Sequence, residues 1–306
     1  PDVALLVDYQ DFNAQLAKRL RKLGIPVLFF IAPSVWAWRS GRAKTFQKYV
    51  DLLASIFPFE PEVFRKLGFD RCVYVGHPLH DHFSHSLLSE DEKAAFRKAN
   101  GLAPERTTVA LFPGSRKREL NYHLNALLEG FRLAQKEIPR LQGIVALPGS
   151  LDRTEVQARL KDDDSIRIVC GQSLSVLQVA DIGALKSGTT NLQAAFAGLP
   201  FFMFYKTNLL TQLIVEFFVA TKQYSIVNII RPSTVTELIK SSFTSTRIAQ
   251  EIIRLAQDTN EQSRLKQIFT EIRESFSTFE QRDELQQSTS AVDRVARLLY
   301  QLAQRP

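Results

Sequence analysis

The chain has 306 residues, 45% of them apolar and 23% charged, which excludes a disordered polymer and allows two cores of ordinary size. Its two cysteines, Cys72 and Cys170, stand far apart with no CxxC pair, which excludes a disulfide scaffold and a zinc ribbon and fits a reducing compartment. The net charge of +7, from 39 basic and 32 acidic residues, favours anionic partners such as phosphates, nucleic acid or acidic lipid without choosing among them.

Taken in order, apolar runs of strand length alternate with helical patterns. Residues 3–7 predict a buried strand, residues 11–23 a helix closed by Gly24, and "IPVLFFIAP" a second strand. A helix over 39–48, a strand over 52–57, a helix over 61–67 stopped by Gly68 and a strand over 72–75 follow. From residue 83 to 106 the chain turns polar, with one short helix, and reads as an interdomain connection. A second series of strands is expected at 108–112, 143–147, 166–169, 182–185 and 201–205, and the chain after Pro232 reads as mostly helical. Short apolar strands separated by helices indicate parallel βαβ units, hence an α/β chain of two successive parallel domains with a helical tail. Ligands are then expected at the carboxyl ends of the strands. The longest apolar runs are too short to span a bilayer, and no signal peptide opens the chain. Entry at Pro1 directly on a strand, with Met203 as the single methionine, raises the expectation that an amino-terminal part is missing.

Two loops carry the pattern of a phosphate site. In "FPGSRKREL" (112–120) a strand ends in Pro-Gly-Ser and a helix begins near Arg118. Gly114 permits close backbone approach, Ser115 is expected to cap the helix, and free N–H groups with Arg116 form an anion seat. The plainer reading is a turn with a surface arginine. In "LKSGTTNLQAAFAGLP" (185–200) a strand gives way to Ser187-Gly188-Thr189-Thr190 and another helix. Two such loops at adjacent strand ends can hold a pyrophosphate without a metal.

Other candidates stand on single residues. In "LLVDYQDFN", Asp11 reads as a helix N-cap, whereas Asp8, at a strand's carboxyl end and facing an interdomain cleft, can deprotonate a hydroxyl. "HPLHDHFSH" places His77, His80, His82 and His85 within nine residues. The spacing invites a metal, but no single regular element points all four at one centre; strand period joins only His80 with His82, and His77 alone remains the site candidate. Trp36 and Trp38 read as a packed aromatic corner or a cleft wall. Helix "NLLTQLIVEFFVATK" carries Leu210, Leu213, Ile214, Phe217 and Phe218 on one stripe, for a core or for acyl chains. Basic residues at Lys18, Arg19, Arg21, Lys22, Arg39, Arg42, Lys44 and Lys48 read as solvated helix faces or as an anionic-surface contact.

Together, "VDYQDFN", "APSVWAWR", "FPFE" (57–60), "VGHPLHD" (75–81), "FPGSRKRE", "KSGTTNLQAAFAGLP", Tyr205-Lys206 and Asn228 resemble, in order, the lipid-A-disaccharide synthase family of GT-B glycosyltransferases. The resemblance implies two Rossmann-like domains: an acceptor-side domain over 1–88, a UDP-sugar-binding domain over 89–275, and helices over 276–306 packing back on the first. It implies an inverting hexosyl transfer from UDP-2,3-diacylglucosamine to 2,3-diacylglucosamine 1-phosphate, giving a β-1,6 disaccharide and UDP at the cytoplasmic face of the inner membrane. Asp8 matches the general base. Arg116, Ser187, Gly188 and Thr189 match the nucleotide-diphosphate site and Asn228 a functional position; with Gly114, Ser115 and Gln193 they are the expected nucleotide-binding residues. Asp11, Asn13, Trp36, Trp38, Arg39, His77 and Glu119 are candidates for the acceptor or cleft. No metal, cofactor or nucleic acid is called for. The partners expected are the two lipid-linked sugars and a membrane surface.

The chain departs from the family's pattern in four places. Its Gly-Glu-x-Ser-Gly-Asp loop is absent, Gln10 replaces a proline, Gln193 replaces a glutamate, and "IIRPSTVTELIK" keeps only Glu237 of the usual segment after Asn228. The resemblance implies that this glutamate contacts the nucleotide ribose; an amide at 193 can still bond a ribose hydroxyl, but accepts more weakly than a carboxylate. These changes leave two alternatives open: a nucleotide-sugar 2-epimerase, or a non-catalytic nucleotide- or lipid-binding homologue.

Overall fold

A strand that is apolar at every position must be covered on both faces. Val27-Leu28-Phe29-Phe30 is such a run, and in the computed structural model, which describes residues 1–36, 41–160, 163–206, 223–278 and 290–304, all four side chains are buried. The described residues divide into two units, the first built from those up to His82 with those from Glu274 onward, the second from residues 83–206 and 223–273. The second therefore begins at the first residue of the segment read as a connection, and that segment belongs to it.

In the first unit, β1 (Ala4–Val7), α1 (Gln10–Lys22), β2 (Val27–Phe30), α2 (Arg42–Tyr49), β3 (Leu52–Ser55), α3 (Glu60–Lys66), β4 (Cys72–Tyr74) and α4 (Pro78–Ser84) alternate. The sheet is parallel, in the order β1-β2-β3-β4. Strand period two sends Val27 and Phe29 into one core with Ala17, Phe46, Phe64 and Phe69. Leu28 and Phe30 enter a second core with Val295, Leu298 and Leu302 of the last helix, Ala291–Ala303. Each fully buried phenylalanine contributes about 1.5–3 kcal/mol.

In the second unit, α5 (Glu90–Ala99), β5 (Thr107–Phe112), α6 (Lys117–Glu137), β6 (Leu141–Leu147), α7 (Arg153–Leu160), β7 (Ile166–Cys170), α8 (Ser173–Val179), β8 (Ile182–Lys186), α9 (Thr189–Phe196), β9 (Phe201–Tyr205), α10 (Ile226–Ile230), β10 (Glu237–Ile239), α11 (Ser245–Gln257) and α12 (Thr259–Ser275) follow. All pairings are parallel and the order is β10-β9-β8-β5-β6-β7, so successive strands build outward from β5 in one direction and then from β8 in the other. Helix α6 lies so close to α11 that a Cβ at Gly130 would sit 2.5 Å from Ile248 Cγ2, which is why no side chain fits there. Among the described residues, no helix is long and apolar enough to cross a membrane.

Several local expectations are corrected. Tyr9, not Asp11, stands at the N-cap of α1, and Asp11 lies in its first turn. Arg116 takes the N-cap of α6 with no side-chain cap, so Ser115 does not cap it. The polar 83–106 stretch is anchored to α8: Leu88 N donates to Gln178 Oε1 at 2.9 Å, Gln178 Nε2 to Ser86 O at 2.9 Å, and Arg97 Nη2 to Val179 O at 2.7 Å. His80 and His82 sit on helix α4, where a separation of two residues turns them to different sides, not on a strand. Strand β10 was not foreseen, because Glu-Leu-Ile is too short to carry a period. The stripe from Leu210 to Phe218 lies outside the described residues.

Candidate functional site

The reversal of strand order in the second unit falls between β5 and β8, whose carboxyl ends meet at Phe112 and Leu185. Loops leaving such a reversal in opposite directions open a crevice, the usual ligand position in a parallel sheet. Gly114 has φ 129, and a Cβ there would lie 2.5 Å from Glu119 Oε2 and 2.6 Å from Glu119 Cβ, so only glycine lets the loop close over this carboxylate. Glu119 Oε2 accepts from Ser115 N at 2.8 Å, and Oε1 lies 3.0 Å from Lys186 Nζ and 3.5 Å from Arg116 Nη1. Burial works to raise the Glu119 pKa, but the bonds from Lys186 and Ser115 N, with the Lys186 and Arg116 charges, hold it below the usual carboxylate range. These residues and Ser187, Gly188, Thr189 and Thr190 line a cavity of about 270 Å³.

The second loop is braced from below. Ser187 N donates to Phe204 O at 2.9 Å, its Oγ to Tyr224 O at 2.8 Å, and Asn191 Nδ2 to Lys186 O at 3.1 Å. Gly188 takes the N-cap of α9 with no side-chain cap, leaving exposed Thr189 in the first turn, where helical N–H groups lack intrahelical partners. Gln193 follows one turn on, half-buried. Asn228 is buried and points inward: Nδ2 donates to Val235 O at 2.9 Å and Glu237 Oε1 at 2.8 Å, and Oδ1 accepts from Val235 N at 2.9 Å. Glu237 also accepts from Tyr224 N and Ser225 N, so the pair shapes the segment that supports Ser187.

Three strand ends in the first unit hold the other candidates. Asp8 and Tyr9 adopt φ 49 and 41, a left-handed turn uncommon without glycine. Asn13 holds it: Nδ2 donates to Val7 O at 3.1 Å and Asp8 O at 2.9 Å, while Asp8 N donates to Phe30 O at 2.9 Å. The Asp8 side chain is thereby left exposed at the end of β1. Trp36 Nε1 donates to Glu60 Oε1 at 3.1 Å, and Glu60 Oε2 accepts from Ile56 N and Phe57 N at 3.2 and 3.1 Å. Burial outweighs these bonds and pushes Glu60 up to about 7. His77 Nδ1 accepts from Leu79 N at 3.0 Å, and its ring meets Phe57 and Phe276 edge-on. Burial, helped by His80, brings His77 down to about 4, so the ring is neutral at pH 7 with its proton on Nε2. Trp38 and Arg39 lie outside the described residues.

Comparison with known proteins adds the family. The family model described as Lipid-A-disaccharide synthetase matches residues 1–292. A lipid-A-disaccharide synthase from Syntrophus aciditrophicus is 35% identical over 277 residues, covering 90% of this chain and 71% of that one. One from Geobacter metallireducens is 37% identical over 260 residues, covering 84% and 66%. The chain belongs to the lipid-A-disaccharide synthetase family. It is thus a member of a hexosyltransferase family of lipid A biosynthesis, and spans roughly two thirds of these relatives' length. Solved structures agree on the GT-B fold. A UDP-GlcNAc 2-epimerase from Neisseria meningitidis bound to UDP-GlcNAc superposes with TM-score 0.57 at 13% identity, covering 98% of this chain and 76% of its own. Anabaena Alr3699/HepE in complex with UDP and glucose gives TM-score 0.54 at 12% identity, covering 98% and 78%.

Within this family member the structure gathers Gly114, Ser115, Arg116, Glu119, Ser187, Gly188 and Thr189 around one cavity. It places Asp8, Asp11, Asn13, Trp36 and His77 in the other unit. Glu119, expected among acceptor or cleft residues, stands with the nucleotide candidates, and Asn228 acts on them through Glu237. Sequence reasoning missed three side chains. Lys186 was signalled by a charge closing a buried strand, and Glu60 by a carboxylate inside an aromatic tract. His123 lies on the buried stripe of α6 with Leu120, Leu124 and Leu127. Its Nδ1 lies 2.8 Å from Pro113 O and its Nε2 2.9 Å from Lys206 O and 3.2 Å from Lys206 N, tying the ends of β5 and β9 together.

Proposed function

We propose that this chain joins UDP-2,3-diacylglucosamine to 2,3-diacylglucosamine 1-phosphate, giving the β-1,6 lipid A disaccharide 1-phosphate and UDP with inversion. The observation that carries this is the cavity at the strand-order reversal, where two glycine-containing loops and Arg116 converge. The donor diphosphate sits on the amino ends of α6 and α9, whose N–H groups and dipoles favour anions. Asp8 takes the proton of the acceptor 6-hydroxyl as its oxygen bonds to the anomeric carbon. The carbon–oxygen bond to UDP breaks on the opposite face, and its electron pair leaves on the β-phosphate, where Arg116 offsets the growing charge. Residues 1–88 serve the acceptor and 89–275 the UDP-sugar. Asn13 serves by holding the turn under Asp8. The exposed Lys18, Arg19 and Lys22 of α1 meet acidic headgroups, as a peripheral protein at the cytoplasmic face of the inner membrane requires.

The test supplies both lipid-linked sugars and follows UDP release and disaccharide by mass spectrometry. Disaccharide formation that Asp8→Asn slows by about 10³, with UDP affinity retained, is expected. Conversion of UDP-GlcNAc to its C2 epimer would establish the epimerase instead, and UDP binding without acceptor-dependent turnover a binding homologue.

A further inference from the structure

Three anion-binding donors from separate places converge on one carboxylate inside the cavity. Ser115 N comes from the loop after β5, Arg116 Nη1 from the N-cap of α6, and Lys186 Nζ from the end of β8; all three reach Glu119. A loop amide, an arginine and a lysine make the donor set that phosphoryl oxygens take at a helix amino end. The lysine is only 19% exposed and lies 5.5 Å from the centre of the Tyr205 ring, so its ammonium is confined to the cavity wall. Arg116, by contrast, is 80% exposed and only loosely paired.

We propose that Lys186 is a direct ligand of the donor diphosphate, and that Glu119 is the anion that engages it beforehand, displaced when the phosphoryl oxygens arrive. This rests on the reading of the cavity as the diphosphate seat. Without an anion, Lys186 and Arg116 would repel each other in a half-buried pocket; Glu119 offsets that repulsion and keeps Ser115 N aimed inward. An incoming phosphoryl group carries more charge than the carboxylate and takes over its donors, Arg116 first because it is held least. The competition also weakens the hold on UDP after transfer, which favours release.

Calorimetric titration of the full chain with inorganic pyrophosphate and with UDP at low salt tests this. Lys186→Met is expected to weaken pyrophosphate binding about tenfold and Glu119→Gln to tighten it about tenfold, each removing one charge from the seat. In the Glu119→Gln background, Lys186→Met costs more affinity than in the unaltered chain, because the lysine no longer has to leave a carboxylate. Equal or weaker binding by Glu119→Gln, with unchanged thermal unfolding, overturns the role given to Glu119. Unchanged binding by Lys186→Met overturns the ligand role. Should Glu119→Gln not fold, Glu119→Asp, one methylene short of the three donors, is expected to shift affinity the same way. Failure of the donor reading looks different: every form then binds pyrophosphate as well as UDP while the charge-swap pattern persists. No pyrophosphate binding in any form overturns both.

Discussion

The carboxyl ends of the two sheets solve the problem of polar groups at a buried edge in opposite ways. In the second unit the strand order reverses, a crevice opens, and charges fill it as the Glu119–Lys186–Arg116 cluster. In the first unit the described strands lie in chain order, β1-β2-β3-β4, and their ends carry Asp8 on a left-handed turn and two buried titratable groups, Glu60 bonded to Trp36 and His77 against Phe57 and Phe276. Charge held by ion pairs stays charged across the ordinary pH range, whereas charge denied a counter-ion by burial is driven neutral. The first arrangement suits a permanent anion; the second leaves neutral hydrogen-bonding groups and one exposed carboxylate.

The sharpest test of that division removes the exposed carboxylate, proposed as the base. Asp8→Asn is expected to lower turnover by about 10³ while leaving UDP affinity unchanged, the usual weight of a general base. A parallel loss of UDP affinity would show that Asp8 serves the donor. The neutral pair makes the next largest prediction. Glu60, raised from 4.5 to about 7, keeps its proton when folded and contributes stability that is lost as pH rises through 7. His77, lowered from 6.5 to about 4, contributes stability present above 6.5 and lost as pH falls through 4. The two slopes oppose each other between pH 4.5 and 6.5, so the unaltered chain should be nearly flat there. Glu60→Gln should then show stability rising with pH across that window, and His77→Gln stability falling, each by roughly 3 kcal/mol. Denaturant unfolding followed by tryptophan fluorescence reads this in the right unit, because Trp36 bonds Glu60 there and the sequence carries no tryptophan after residue 38. Identical pH profiles for all three proteins would refute the assignment.

On the charged side, Gly114→Ala forces a Cβ against Glu119 at a strained φ and should weaken UDP binding by about 30-fold, an effect of about 2 kcal/mol. Unaltered binding would mean that the loop is softer than its packing suggests. The smallest effect concerns Gln193. Restoring a carboxylate with Gln193→Glu should tighten UDP a few-fold, about 1 kcal/mol for one charge-assisted bond, and leave pyrophosphate binding unchanged. A change in pyrophosphate affinity would place residue 193 at the phosphates and not at the ribose.

Much of the site was legible before the fold. Gly114 and the Ser187-Gly188-Thr189 turn announce themselves because glycine between an apolar run and a helix has few other uses. The partner of Glu119 was not legible, since Lys186 is distant in sequence and only β5 and β8 lying side by side brings them together. Asn228 shows the reverse: its motif was visible, but that its amide turns inward to Val235 and Glu237 depends on a three-residue edge strand with no periodic signal.

By itself the sequence determined the alternation of strand and helix, the parallel α/β class and the two loop motifs, because these follow from local periodicity and backbone preference. Composition at the outset allowed two cores and a taste for anions. Only the tertiary structure decided that Ser115 N, Arg116 and Lys186 meet at Glu119, and which titratable groups burial keeps neutral. Those depend on strand order and on enclosure by distant residues, and neither is written in any local run of the chain.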